Sequence, residues 1–190
     1  MAKGALYVIS APSGAGKSTL INRIRPMFPD MLYSISCTTR SPRKDEAQGV
    51  DYFFVSREQF KSMIKNNEFL EWKEVHGNLY GTPAAFVSEA VDSGRSVILD
   101  IDVEGAREVF SKFKGAVGIF ITVPNMAVLE ERLRSRGTDS EASIRIRMIN
   151  AGHEMELAPV FRYQVVNDRL DNAVEELASI LNEQTSRCWK

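Results

Sequence analysis

The sequence predicts an α/β fold: a mostly parallel sheet with flanking helices, carrying two insertions. Two observations predict it. Short, near-continuously apolar runs recur along the chain, as expected of parallel strands covered on both faces. Amphipathic stretches with apolar residues three and four apart alternate with them, as crossover helices do. The runs are Leu6 to Ser10, Ser96 to Ile101, Gly118 to Val123 and Tyr163 to Val166. Each of the first three is followed by a helical pattern. The first helix is expected over Ser18 to Phe28, with Leu20, Ile21, Ile24 and Met27 on one buried stripe. Another opens at Asn125, a capping residue, runs to Arg136 and buries Met126, Leu129 and Leu133. The last begins after Asp171, with Val174, Leu177, Ala178 and Leu181 inward.

Residues 34–92 and 132–158 break this alternation. In the first stretch Phe53 to Val55 and Phe69 to Val75 are expected strands, with Phe69 and Trp72 packing the insertion. Ser56 and Gln59 form a capping box before Phe60, Met63 and Ile64. Tyr80-Gly81-Thr82 is expected to turn, with Thr82 as N-cap and Pro83 as first residue of a helix that Gly94 stops. The second stretch holds five arginines between Arg132 and Arg147, and Thr138 with Glu141 suggests a capping box for a helix over Ser140 to Leu157. The expectation is one domain over residues 1–190: a core of 1–33, 93–131 and 159–190, an insertion over 34–92, and a short lid over 132–158.

The 190 residues are 44% hydrophobic and 26% charged, the composition of an ordinary soluble globular chain. With 24 basic and 25 acidic side chains the formal charge is −1, which leaves no global footprint for nucleic acid or an anionic membrane. The run Leu6 to Ile9 is too short for a signal-peptide core or a membrane span. Cys37 and Cys188 make neither a disulfide framework nor a zinc set, so a reducing, cytoplasmic setting is expected. His76 and His153 have no acidic or thiol partners at ligand spacing.

Chemistry first enters at Ala11-Pro12-Ser13-Gly14-Ala15-Gly16-Lys17-Ser18-Thr19, between the first strand and the first helix. A phosphate loop needs inward backbone N–H groups, a helix N-terminus, a lysine and a hydroxyl for Mg²⁺. Gly14 and Gly16 permit close backbone approach, Lys17 would reach the β- and γ-phosphates, and Ser18 would ligate the metal. The familiar pattern opens on glycine, where this chain has Ala11; the competing reading is a plain glycine-rich turn. Val97 to Asp100 is an apolar strand ending in a carboxylate, the arrangement that holds Mg²⁺ beside such a loop. The alternative is that Asp100 merely caps the next helix. Arg40 and Arg43, three apart around Pro42, offer two guanidiniums to one phosphate.

Together these residues resemble the guanylate kinases, of the nucleoside monophosphate kinase group. The resemblance rests on Ser34 to Arg43, Gly49 to Phe54, Phe69 to Trp72, Gly77 to Thr82, Leu99 to Gly105, Arg134 to Thr138 and Val166 to Asp168. It covers almost the whole chain. The family's loop often carries Ala or Gly first, which accounts for Ala11. Lys44-Asp45, Cys37 and Arg162 depart from common family residues. The resemblance implies a P-loop NTPase-type fold with a GMP-binding insertion, and reversible transfer of a phosphoryl group from ATP to GMP with Mg²⁺. It implies that Arg40, Arg43, Tyr52 and Tyr80 hold the GMP phosphate. It implies that Ser36, Glu71 and Thr82 read the guanine with Asp102 nearby. It implies that Arg136 and Arg147 close over the transferring group, with Lys17, Arg40 and both lid arginines as the catalytic set. A homo-oligomer is compatible with the sequence, which carries no signature of one. The alternatives are a kinase for another monophosphate, or a non-catalytic guanylate-kinase-like binding module.

Overall fold

The computed structural model describes residues 3–75, 77–135, 137 and 140–188, with side chains described as far as Glu183. The first half of the chain holds β1 (Leu6–Ser10), α1 (Lys17–Ile24), β2 (Leu32–Tyr33), β3 (Cys37–Thr38), β4 (Phe53–Phe54), α2 (Arg57–Lys65), β5 (Phe69–Val75), β6 (Asn78–Pro83) and α3 (Ala84–Asp92). The second half holds β7 (Val97–Asp100), α4 (Val103–Lys112), β8 (Val117–Thr122), α5 (Met126–Ser135), α6 (Glu141–Glu156), β9 (Tyr163–Val166) and α7 (Leu170–Cys188).

The larger sheet has the order β2-β7-β1-β8-β9, and every pairing in it is parallel. Strand β1 is central and buried throughout, which is why its sequence is apolar without alternation. Its pleat feeds two cores. Tyr7 and Ile9 pack with Leu20, Ile21 and Ile24 of α1 and Leu177 and Leu181 of α7. Leu6 and Val8 pack with Val87 and Val91 of α3 and Ala106 and Val109 of α4. The smaller sheet has the order β4-β3-β6-β5 and a core of its own, with Phe60 stacked on Phe69 at 4.4 Å. Among the described residues no helix is long and apolar enough to cross a membrane.

Several local expectations change. Helix α1 ends at Ile24 and gives way to a 3₁₀ turn over Arg25–Met27, because Pro26 has no N–H to donate; Met27 leaves the buried stripe and is 54% exposed. Tyr80-Gly81-Thr82 is no turn but the middle of β6, antiparallel to β5 in the register Glu71↔Thr82 and Lys73↔Tyr80. Thr82 caps nothing: α3 starts at Ala84 with extended Pro83 as its N-cap, and the Thr82 hydroxyl is committed to Glu71. Trp72 lies on the opposite face of β5 from Glu71 and is 40% exposed rather than packed. Helix α6 is capped by Ser140, whose hydroxyl accepts the Ser143 N–H; Thr138 lies outside the described residues. Asn125 caps α5 through the Val128 N–H, and the Ser56–Gln59 box caps α2, as the sequence suggests.

Candidate active site

Because β1 lies between β7 and β8, its C-terminal end opens a crevice where connections leave to either side, the usual ligand position in such sheets. The glycine-rich loop stands there. Gly14 (φ 98°) and Gly16 (φ 92°) hold left-handed conformations that side chains disfavour, and a Cβ on Gly16 would lie 2.4 Å from Asn167 Nδ2. Gly16 is also the N-cap of α1, so the loop ends at a helix N-terminus with its partial positive charge. A brace from the far side holds this shape. Buried Asn167 donates to the Ala15 carbonyl at 2.7 Å, and Arg132 Nη2 donates to the Asn167 carbonyl at 2.8 Å.

Lys17 donates to the Ile101 carbonyl at 3.1 Å and pairs with the Asp100 carboxylate at the end of β7. The other Asp100 oxygen accepts the Tyr33 hydroxyl at 3.1 Å. Asp100 does not cap the next helix. Asp102 does, accepting the Gly105 N–H at 2.9 Å, while its second oxygen pairs with Lys73.

Between the two sheets lies a cavity of about 360 Å³. Lys17, Ser18, Asp100 and Asp102 line it from the larger sheet, and Ser36, Tyr52, Glu71 and Tyr80 from the smaller sheet and its approaches. Glu71 is 6% exposed and accepts the Thr82 hydroxyl at 2.6 Å. Burial pushes its carboxyl above the ordinary range, a shift that the Thr82 bond opposes. Glu71 also lies against the first turn of α4: a Cβ on Gly105 would come within 2.9 Å of Glu71 Oε2. Only glycine there lets the carboxylate lie so near the backbone. An exposed Glu71 paired with Lys65 or Lys73, the competing possibility for such a strand residue, is not what the fold contains. Ser34, buried on the cavity wall, has an Oγ without a partner among the described residues.

Arg40 stands at the edge of this cavity with its guanidinium gripped by Glu46 through two bonds of 2.9 and 2.8 Å, and lies 5.5 Å from the Tyr52 ring centre. Glu46 also accepts the Arg43 backbone N–H at 2.8 Å, while the Arg43 side chain is exposed. The Arg40 bonds hold the Glu46 carboxyl below the usual carboxylate range. Tyr52 and Tyr80 meet edge to face at 6.0 Å beside them. Arg147, on α6, donates to Ser13 Oγ at 2.8 Å and so touches the phosphate loop rather than the cavity. Arg136 lies outside the described residues, as does His76. His153 is exposed near Glu156 and Cys37 is a buried thiol pushed up to about 11 by burial; neither belongs to the site.

The fold thus joins Lys17, Ser18, Ser36, Tyr52, Glu71, Tyr80, Asp100 and Asp102 around one cavity, with Thr82 behind Glu71 and Arg40 at the rim. Sequence reasoning missed Glu46, Asn167, Arg132, Tyr33 and Ser34 as contributors. Glu46 follows Arg43 by three residues in an irregular turn where no periodicity marks it. Asn167 reaches Ala15 across 152 positions, a pairing that no local signal encodes.

Comparison with known proteins agrees with this geometry. The guanylate kinase family model matches residues 3–184. A guanylate kinase of Carboxydothermus hydrogenoformans is 48% identical over 184 residues, covering 97% of this chain and 90% of that protein. One of Thermotoga maritima is 43% identical over 185 residues, covering 97% and 89%. The crystal structure of guanylate kinase from Anaplasma phagocytophilum superposes with a TM-score of 0.76 at 32% identity, covering 97% of this chain and 88% of that one. With the match running from Lys3 to near the end of α7, phosphate loop and second sheet included, this chain belongs to the guanylate kinase family.

Proposed function

We propose that the cavity between the two sheets is where this guanylate kinase transfers the γ-phosphoryl group of ATP to GMP, giving ADP and GDP. The observation that carries the reading is the buried Glu71 carboxylate, hydrogen-bonded to Thr82, on the same cavity as Lys17. Guanine presents N1–H and the 2-amino group as adjacent donors, which one carboxylate accepts together, and O6 as an acceptor for the Ser36 hydroxyl, while the Thr82 hydroxyl steadies Glu71 from behind. Adenine presents a lone pair at N1 and no 2-amino group, so it would leave a buried carboxylate unpaired.

On this reading the loop Ala11–Thr19 receives the donor phosphates, and Lys17 sets a positive charge where negative charge spreads in transfer. Arg40, preset by Glu46 and flanked by Tyr52 and Tyr80, receives the acceptor phosphate, joined by Arg43 from the same loop. Asp102 and Ser36 complete the acceptor wall. Phosphoryl transfer asks mainly for alignment and charge neutralisation, and an ionised phosphate acceptor requires no general base. We assign the closing elements to residues 34–92 and the lid to 132–158, where Arg136 and Arg147 would meet the transferring group and exclude water.

Mg²⁺ fits the donor set. Among the described residues no group of three or more His, Cys, Asp or Glu could hold a metal by itself. Ser18 and Asp100 instead put one hydroxyl and one carboxylate on the same cavity, the few hard oxygen ligands suited to a cation that arrives on nucleotide phosphates. When bound it would neutralise phosphate charge. The buried free thiol of Cys37 accords with a reducing, cytoplasmic setting.

A coupled assay of ADP release with GMP, AMP, dTMP and UMP as acceptors tests the reading. GMP should be preferred by orders of magnitude. A better turnover with any other monophosphate would reject it.

A further inference from the structure

Helix α6 lies along the phosphate loop and meets it with two side chains seven residues, about two turns, apart on one face. Arg147 donates to the Ser13 hydroxyl. Glu154 lines the loop's own cavity of about 290 Å³ together with Gly14, Gly16, Lys17 and Ser18. Burial disfavours the charge on Glu154, while the Ser13 backbone N–H, Lys17 and Lys73 attract it. The cavity thus sets an acidic side chain where the loop's N–H groups, the N-terminus of α1 and Lys17 converge. Those are the groups that make such a loop a phosphate site. An anion already seated there competes with any phosphate that arrives.

We propose that Glu154 is a built-in counter-anion of the donor site, which neutralises the loop until a nucleotide phosphate expels it, and so sets donor affinity and couples α6 to donor occupancy. The inference rests on the donor site proposed above. The helix is suited to such movement. Of its 16 residues Ile144 and Ala151 are buried, and Ile146 and Ile149 face solvent. Met148 and Met155 reach the two cores but are only half-buried, so a few side chains seat the helix, the Arg147–Ser13 hydrogen bond among them. A donor phosphate that takes the Ser13 N–H removes a partner from Glu154 and places like charge beside it. The helix then shifts, and Arg147 leaves the Ser13 hydroxyl for the incoming nucleotide. Apparent donor affinity is lowered by the fraction of molecules in which Glu154 occupies the loop.

Calorimetric titration of the whole chain with a non-hydrolysable ATP analogue and Mg²⁺ tests this, using wild type, Glu154→Gln and Glu154→Ala. Gln keeps the size of the side chain, and Ala removes it altogether. Both variants should bind the analogue about tenfold tighter, with GMP affinity within twofold of wild type. Unchanged or weaker analogue binding in either variant would overturn the proposal, as would equal tightening toward GMP. Wild-type GMP phosphorylation is measured alongside. Its absence would reject the functional reading itself, whereas an active wild type whose variants bind no tighter rejects only the role of Glu154.

Discussion

Glu71 is where local chemistry and function pull against each other. Burial raises its carboxyl above the ordinary value, so folding disfavours the ionised form that the proposed guanine recognition requires. The group's contribution to stability is therefore greatest below its unfolded pKa of about 4.3 and is lost as pH rises through the raised folded value. Glu71→Gln keeps shape and an acceptor for Thr82 while removing the charge. Its Tm relative to wild type should be higher at pH 8 than at pH 4.5. Thermal melts of both proteins at the two pH values check this, and a difference that does not grow toward high pH would contradict it. The role proposed for Glu71 toward guanine could be read from the chain only through family likeness. Its burial could not, because it depends on Gly105, 34 positions away, leaving room for the carboxylate on the first turn of α4.

At the scale of elements, the loop between β1 and α1 is legible because its chemistry is local: two glycines, a lysine and a hydroxyl between a strand and a helix. What keeps it in shape is not. Asn167, at the end of β9, donates to the Ala15 carbonyl from a buried position, and Arg132 of α5 fastens Asn167 in turn. Asn167→Ala would leave the Ala15 carbonyl without that donor and open a gap behind Gly16. The expected cost is about 1–3 kcal/mol of stability, seen as a Tm lower by several degrees and weaker ATP binding. An unchanged melt with unchanged ATP affinity would show that the loop holds its shape unaided. Short strands were likewise illegible: β2 and β3 have two residues each, too few for any periodicity, and β6 is disguised by turn-forming residues at Tyr80-Gly81-Thr82. The buried strands β1, β7 and β8 declare themselves, because burial on both faces writes a continuous apolar run, whereas β9, at the edge of the sheet, buries only Val165 of its four residues.

Across the whole molecule, two arginines from different regions are expected to act at different stages of the reaction. Arg40, preset by Glu46, meets a phosphate already present before transfer, so Arg40→Ala should raise the KM for GMP by about tenfold to a hundredfold, consistent with about 1.5–3 kcal/mol for a charge-assisted bond. Arg147 starts on Ser13 and engages charge that develops during transfer, so Arg147→Ala should lower kcat by about a hundredfold with less effect on the KM for GMP. Steady-state kinetics with GMP varied separates the two, and the reverse pattern would exchange their roles. The central claim remains that the cavity between the sheets selects guanine through Glu71. Comparing kcat/KM for GMP and AMP on wild type and Glu71→Gln tests it most directly. The variant should lose at least about tenfold toward GMP, and its preference for GMP over AMP should narrow, since an amide can donate to adenine N1 and accept from the 6-amino group. An unchanged GMP-to-AMP ratio would contradict the claim and place guanine recognition elsewhere.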